Sequence, residues 1–322
     1  MLTMVQVRPD PDGAMCVSVI DSGGYQESDA VVAETSSTTT DRRTRASLRR
    51  LVAGEQRKRA MRLTEALRDD AFCLRFLPRQ RLAPAGTATA DAGPAEADRI
   101  EGAELWLGLP NRRRGLVSVT PLLRDLDRPV LREDMLRFTL DAAAAEVAIW
   151  PTHWRIAVPV PSRILVDGGV CDIVLAALAQ AGVGAERIDL QIDESELVEG
   201  GMALHHAIGA LREHGIGVSL EGFGAIFGSL ALLPRLPLTG LKLDRRLAHA
   251  TMPGDAVDET ILIRAAVEIA HRQGVLVTID GVETAAETER IRGLGVDLVQ
   301  GPWIGPAMPA EAIRARARVS GL

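Results

Sequence analysis

Residues 218–244 read VSLEGFGAIFGSLALLPRLPLTGLKLD. Two short apolar runs stand in this stretch, Val218 to Phe223 and Leu241 to Asp244, and both carry charge near their ends. Glu221 closes the first run and is followed by Gly222; Lys242 and Asp244 belong to the second. Short apolar runs bounded by turn residues read as strands buried on both faces. A charged side chain in such a run costs free energy to bury unless it is paired or holds a metal.

The same pattern continues in both directions. Phe72 to Leu77, Ala103 to Leu109, Ile156 to Val160 and Ile188 to Ile192 precede it, and Val275 to Val282 and Leu298 to Trp303 follow. Helical patterns at Leu131 to Ala148, Leu165 to Ala181, Gly201 to His214 and Val257 to Arg272 separate most of these runs. Eight strands alternating with helices over about 250 residues predict an α/β fold, a (β/α)8 barrel of the TIM type. Ala83 to Ala97, rich in Ala, Pro, Gly and Thr, predicts a loop between the first two strands.

Barrels of this kind carry their chemistry where strands end, on the C-terminal face. The polar residues fall there: Glu104 in the second strand, Gln191, Asp193 and Glu194 at the fourth, and Glu221 at the fifth. Lys242 and Asp244 belong to the sixth, Asp280 and Glu283 to the seventh, Gln300 to the eighth. A ring of such groups on several strands marks a candidate site. The alternative is a polar mouth whose members only pair with one another, Lys242 with Asp244 or Glu221. The chain has two lysines, Lys58 and Lys242, and otherwise uses arginine. A lysine at 242 therefore points to a need for a compact, titratable ammonium.

Composition narrows the function classes. With 322 residues, 47% hydrophobic and 25% charged, the chain is long enough for a large core. Its net charge of -6 gives no drive toward nucleic acid. Cys16, Cys73 and Cys171 are far apart, which argues against a zinc site or disulfide framework and fits a cytoplasmic location. No apolar run is long enough for a membrane span. Residues 1–40 read as a flexible or weakly ordered segment, with a short strand at Val17 to Ile20. Residues 41–69 read as a basic helical linker and 70–322 as the barrel. The basic helix carries an apolar stripe, Leu48, Leu51, Val52, Met61, Leu63 and Leu67, that docks it on the domain. Its arginines read as a solvated face or as an anionic-surface patch.

Five segments, in order and spacing, resemble the EAL family. GAELWL at 102–107 is similar to the motif that names the family, and IDLQIDES at 188–195 to its E-x-T-E strand. The stretch at 218–244 resembles the D-D-F-G-T-G segment with the K-I-D that follows it. VTIDGVETAAE at 277–287 resembles A-E-G-V-E-T, and QGPWIGPAMP at 300–309 resembles the closing Q-G-Y…P-L-P. The resemblance implies a barrel that holds two divalent cations, magnesium or manganese, and hydrolyses cyclic di-GMP to linear pGpG. It places metal ligands at Glu104, Gln191, Glu221 and Asp280. It gives catalytic roles to Lys242 and Glu283, and ligand-binding positions to Gln300, Glu194 and Asp244.

The departures from the pattern fall on the ligands. Pro159 stands where the family's third strand ends in Asn, and proline has no side-chain oxygen. Gln191 replaces a Glu, Glu221 an Asp, Asp280 a Glu, and Gly222 the second Asp of the pair. Leu77-Pro78 stands for Q-P, and Gly108 for the Arg that meets a ligand phosphate. Arg112, Arg113 and Arg114 follow in the next loop, as a substitute or as a solvated turn. Displacing a reacting group by about 1 Å can cost roughly a hundredfold in rate. The sequence thus predicts a degenerate, vestigial site that binds magnesium or manganese weakly or holds no metal. The expected function is non-catalytic contact with a protein partner in cyclic-di-GMP signalling. Binding of cyclic di-GMP without hydrolysis, and weak hydrolysis, are the alternatives. A homodimer remains open, because the family's dimer loop reads Ala225-Ile226-Phe227-Gly228-Ser229.

Overall fold

The computed structural model describes residues 4–9, 15–20, 30–31, 54, 57–83, 98–111, 115–124, 126, 128–225, 230, 233–249 and 260–320. They form two compact units, Met1–Arg57 and Lys58–Leu322. In the first, the strands Met4–Pro9, Met15–Ile20 and Ala30–Val31 form an antiparallel sheet. The strand expected at Val17 to Ile20 lies within the second of these. Most of the segment read as weakly ordered, and residues 41–53 of the helical segment expected over 41–69, lie outside the described residues.

The second unit is a closed barrel. Its eight strands are β1 (Cys73–Arg81), β2 (Arg99–Asn111), β3 (Arg155–Pro159) and β4 (Ile188–Asp193). The remaining four are β5 (Gly217–Phe223), β6 (Gly240–Leu243), β7 (Leu276–Ile279) and β8 (Leu298–Val299). Neighbours pair in chain order from β2 to β8, all parallel. β1 closes the ring and runs against both neighbours, with Leu77 opposite Glu104 and Arg81 opposite Leu298. This corrects the simple alternating pattern: β1 and β2 form an antiparallel pair. The reversal carries Arg79 and Arg81 to the end of the barrel where the parallel strands begin.

The strands alternate more than the sequence reading allowed. Along β4, Ile188, Leu190 and Ile192 are buried in the main core, while Asp189 and Gln191 occupy the opposite face. The apolar set packs outward on helices such as Pro129–Val147 and Val170–Ala181. The polar set fills the barrel interior. Residues 57–68 are helical and bury Ala60, Leu63 and Ala66 against Leu107, Leu109 and Met135. Arg57, Lys58, Arg62 and Arg68 on this helix face solvent. The helix expected over Leu165 to Ala181 is two helices, Ser162–Val166 and Val170–Ala181, because Gly168 and Gly169 break it with positive φ. Among the described residues no helix is long and apolar enough to cross a membrane.

Candidate functional site

β2 and β6 stand on opposite sides of the ring, four strands apart in either direction. Glu104 projects from one and Lys242 from the other, and both are buried. They meet inside: Lys242 Nζ donates to Glu104 Oε2 at 2.5 Å. The ammonium also lies 3.3 Å from Asp280 Oδ2, beyond the end of β7. Gln300 Nε2 donates to the same Glu104 oxygen at 3.2 Å. Burial alone pushes the Lys242 pKa down, but the charges of Asp280, Glu104 and Glu221 outweigh it and hold the ammonium protonated. The pair thus crosses the barrel and forms a charged floor beneath its C-terminal mouth.

The remaining candidates separate into two groups. Glu221 is half-buried on β5, opposite Asp193, and acts on Lys242 through its charge. Gln191 is 2% exposed, and its Oε1 has no hydrogen-bond partner. Glu194, Asp244 and Glu283 do not join the Lys242 cluster. Glu194 Oε2 accepts from the Gly224 backbone N–H at 3.1 Å. Asp244 accepts from Arg246 N–H and Nε–H at 3.0 and 2.8 Å. The Glu283 side chain is 59% exposed and lies 3.9 Å from His249 Nε2. Of the ion pairs offered for Lys242, Asp244 turns to Arg246 and Glu221 acts through its charge, while Glu104 and Asp280 lie within ion-pair distance.

These donors do not fit a pair of divalent cations. Such ions need several carboxylate oxygens each. Pro159, opposite Gln191 in the sheet, and Gly222 offer none. One Glu104 oxygen is taken by Lys242 and Gln300, and Asp280 Oδ1 accepts from the Gly281 N–H at 2.7 Å. Among the described residues no group of three or more His, Cys, Asp or Glu side chains is placed to hold a metal. Gly222 has φ 72°, a conformation that other residues adopt with strain. At Gly108 a Cβ would meet Trp106 Cζ3 at 2.5 Å and Leu116 Cγ at 2.6 Å, so the place of the family's Arg is already filled. Arg112 to Arg114 and residues 226–229 lie outside the described residues.

A second polar set, at the opposite end of the barrel, was not singled out from the sequence. Asp189 accepts from Ser219 Oγ at 2.6 Å and Thr239 Oγ1 at 3.1 Å, and Arg79 Nη1 lies 3.8 Å away. The signal was present in IDLQID at 188–193, where every second residue is polar.

The barrel is closed, has one reversed strand, and joins a lysine and a glutamate across its centre beside a glutamine from the last strand. The EAL domain profile matches residues 61–307, and the chain belongs to the EAL family. It is 28% identical over 222 residues to the bifunctional diguanylate cyclase/cyclic di-GMP phosphodiesterase MucR of Pseudomonas aeruginosa, covering 66% of this chain and 32% of that protein. It is 30% identical over 258 residues to the cyclic di-GMP phosphodiesterase NbdA of the same organism, covering 78% of this chain and 31% of that one. The chain thus spans about a third of the length of these relatives. Among solved structures, the MucR phosphodiesterase in complex with cyclic di-GMP superposes with a TM-score of 0.67 and 26% identity, covering 80% of this chain and 99% of that one. The EAL enzyme Bd1971 shares the fold with a TM-score of 0.70 at 18% identity, over 84% of this chain and 74% of that chain.

Proposed function

We propose that this chain is a non-hydrolysing EAL barrel that acts in cyclic-di-GMP signalling, in the cytoplasm, by contact with a protein partner. The observation that carries the reading is the Lys242 ammonium held between Glu104 and Asp280, with Pro159 and Gly222 at two ligand positions. Glu104 is committed to an ion pair, and the set lacks the oxygens that would stabilise both the attacking and the leaving oxygen of an in-line displacement. Contact with a protein is supported by exposed apolar side chains on the mouth side. Met202 and Ile261, in helices that follow β4 and β6, and Trp303, after β8, are 68%, 67% and 53% exposed. A large aromatic residue of this kind is enriched where partners bind.

A second reading, cyclic di-GMP binding without hydrolysis, is favoured by the likeness to a MucR domain whose structure is a cyclic di-GMP complex. The filled space at Gly108 weighs against it. Calorimetry with cyclic di-GMP, with and without magnesium or manganese, followed by analysis for pGpG, separates the readings. The proposal expects neither heat nor product. Heat without product moves the function to the receptor. Turnover that disappears in Glu104→Ala overturns the non-catalytic reading.

A further inference from the structure

The N-terminal end of the barrel, away from the mouth, contains a cavity of about 220 Å³. Arg79 and Arg81 from β1, Arg155 at the start of β3, Asp189 from β4, Glu101 and His153 are among its lining residues. The reversed direction of β1 brings its two arginines here. Lys242 is a lining residue too, so the cavity and the charged floor of the mouth share it.

The two carboxylates here are largely engaged. Glu101 accepts from Arg81 at 2.7 Å and from Arg99 at 3.1 Å. Asp189 is bonded by Ser219 and Thr239. Two guanidinium groups keep donors to spare. Arg79 is 9% exposed, its Nε has no hydrogen-bond partner, and its 3.8 Å approach to Asp189 is too long for a hydrogen bond. Arg155 is exposed at the rim and makes no side-chain hydrogen bond or ion pair among the described residues. Buried polar groups in native proteins are nearly always satisfied, and a buried guanidinium with one long ion pair and an unbonded Nε calls for a further acceptor.

We propose that this cavity binds a small phosphate-class oxyanion, free or as the end group of a phosphomonoester, between Arg79, Arg81 and Arg155. Guanidinium forks match the paired oxygens of a phosphate. A tetrahedral anion offers acceptors in several directions, which suits donors that converge from β1 and β3. A planar monocarboxylate meets fewer of them and carries less charge. The volume is below that of ordinary drug-sized pockets, roughly 300 Å³ or more, so a dinucleotide does not fit.

The test is calorimetry on the full chain with inorganic phosphate and with glycerol phosphate, at ionic strength matched with sodium chloride. It compares the native protein, Arg155→Gln and Arg79→Gln. Arg155 is exposed and makes no side-chain hydrogen bond or ion pair among the described residues, so its variant is expected to fold. The expected result is saturable binding, weakened about tenfold or more in Arg155→Gln by the loss of one charge-assisted contact. Arg79→Gln loses the phosphate-induced rise in melting temperature. Binding of glycerol phosphate as tight as that of phosphate identifies an end group; binding of phosphate alone identifies the free ion. No saturable heat with either compound, or equal affinity in Arg155→Gln, overturns the proposal.

Discussion

Removing the ammonium that spans the barrel, by Lys242→Met, tests the central feature of the site. At an effective dielectric constant of about 20, the attraction at 2.5 Å to Glu104 is about 7 kcal/mol, and that at 3.3 Å to Asp280 about 5 kcal/mol. The second value is discounted because the Asp280 side chain is 34% exposed and screened by water. Desolvation of three groups offsets most of the gross attraction, but loss of Lys242 strands the buried Glu104 carboxylate, at a net cost of about 3 kcal/mol. Urea unfolding of the native chain, Lys242→Met, Glu104→Gln and the double variant gives the coupling. The double variant is expected to cost less than the sum of the singles by about 1–3 kcal/mol. The pH dependence follows from the raised pKa of Lys242. Its contribution is fully present below the usual value of 10.5 and is lost only as pH rises beyond that, through the higher folded value. The cost of Lys242→Met therefore does not shrink between about pH 7 and 9.5. Additivity of the two variants to within about 0.5 kcal/mol would refute the reasoning, because it would mean that the two side chains do not meet.

Three other outcomes follow from the geometry. Arg187 is buried and donates to the carbonyls of Trp154, Val147, Trp150 and Pro151 at 2.8–3.4 Å, so Arg187→Met is expected to cost about 3 kcal/mol in a denaturant titration. Loss of less than about 0.5 kcal/mol would show these carbonyls to be satisfied by water. Burial raises the Asp98 pKa, but hydrogen bonds from Arg292 and the Ala83 N–H outweigh it and hold the carboxyl below its ordinary value. Its stabilisation is present above the ordinary carboxylate range and is lost as pH falls through the lowered value. Asp98→Asn should therefore cost about 1 kcal/mol at neutral pH, after discounting for solvent screening, and progressively less as pH falls below the ordinary carboxylate range, as read from melting curves. Gly222→Asp places a side chain at φ 72° and is expected to cost about 1 kcal/mol. Magnesium is expected to leave its melting temperature unchanged, and a metal-dependent rise would show that a ligand set can be rebuilt.

What the sequence made legible, and what it left hidden, has one physical origin. Strand and helix identity are local, so the runs at Ile188 to Ile192 and Val218 to Phe223 lie within the strands that form there. The direction of β1 is not local. An antiparallel first strand and a parallel one have the same apolar run, and only ring closure against β8 distinguishes them. The site follows the same division. Glu104, Lys242, Asp280 and Gln300 are legible as polar residues at strand ends, but the sequence points to a partner for Lys242 within a few residues or on the adjacent strand. Glu104 is 138 positions away, on the strand directly across the ring. A lysine stem is long enough to span a narrow barrel, which favours pairs across the interior over pairs along the wall. The arginine cavity was hidden for the same reason, since Arg79 and Arg155 meet only because β1 is reversed. Lys242 links the two ends: it belongs to the charged floor of the mouth and also lines the cavity. A charge change on either side therefore acts on one shared residue. The same Lys242→Met variant should alter phosphate affinity at the N-terminal end as well as the mouth, and calorimetry of that variant distinguishes a shared residue from two independent ends.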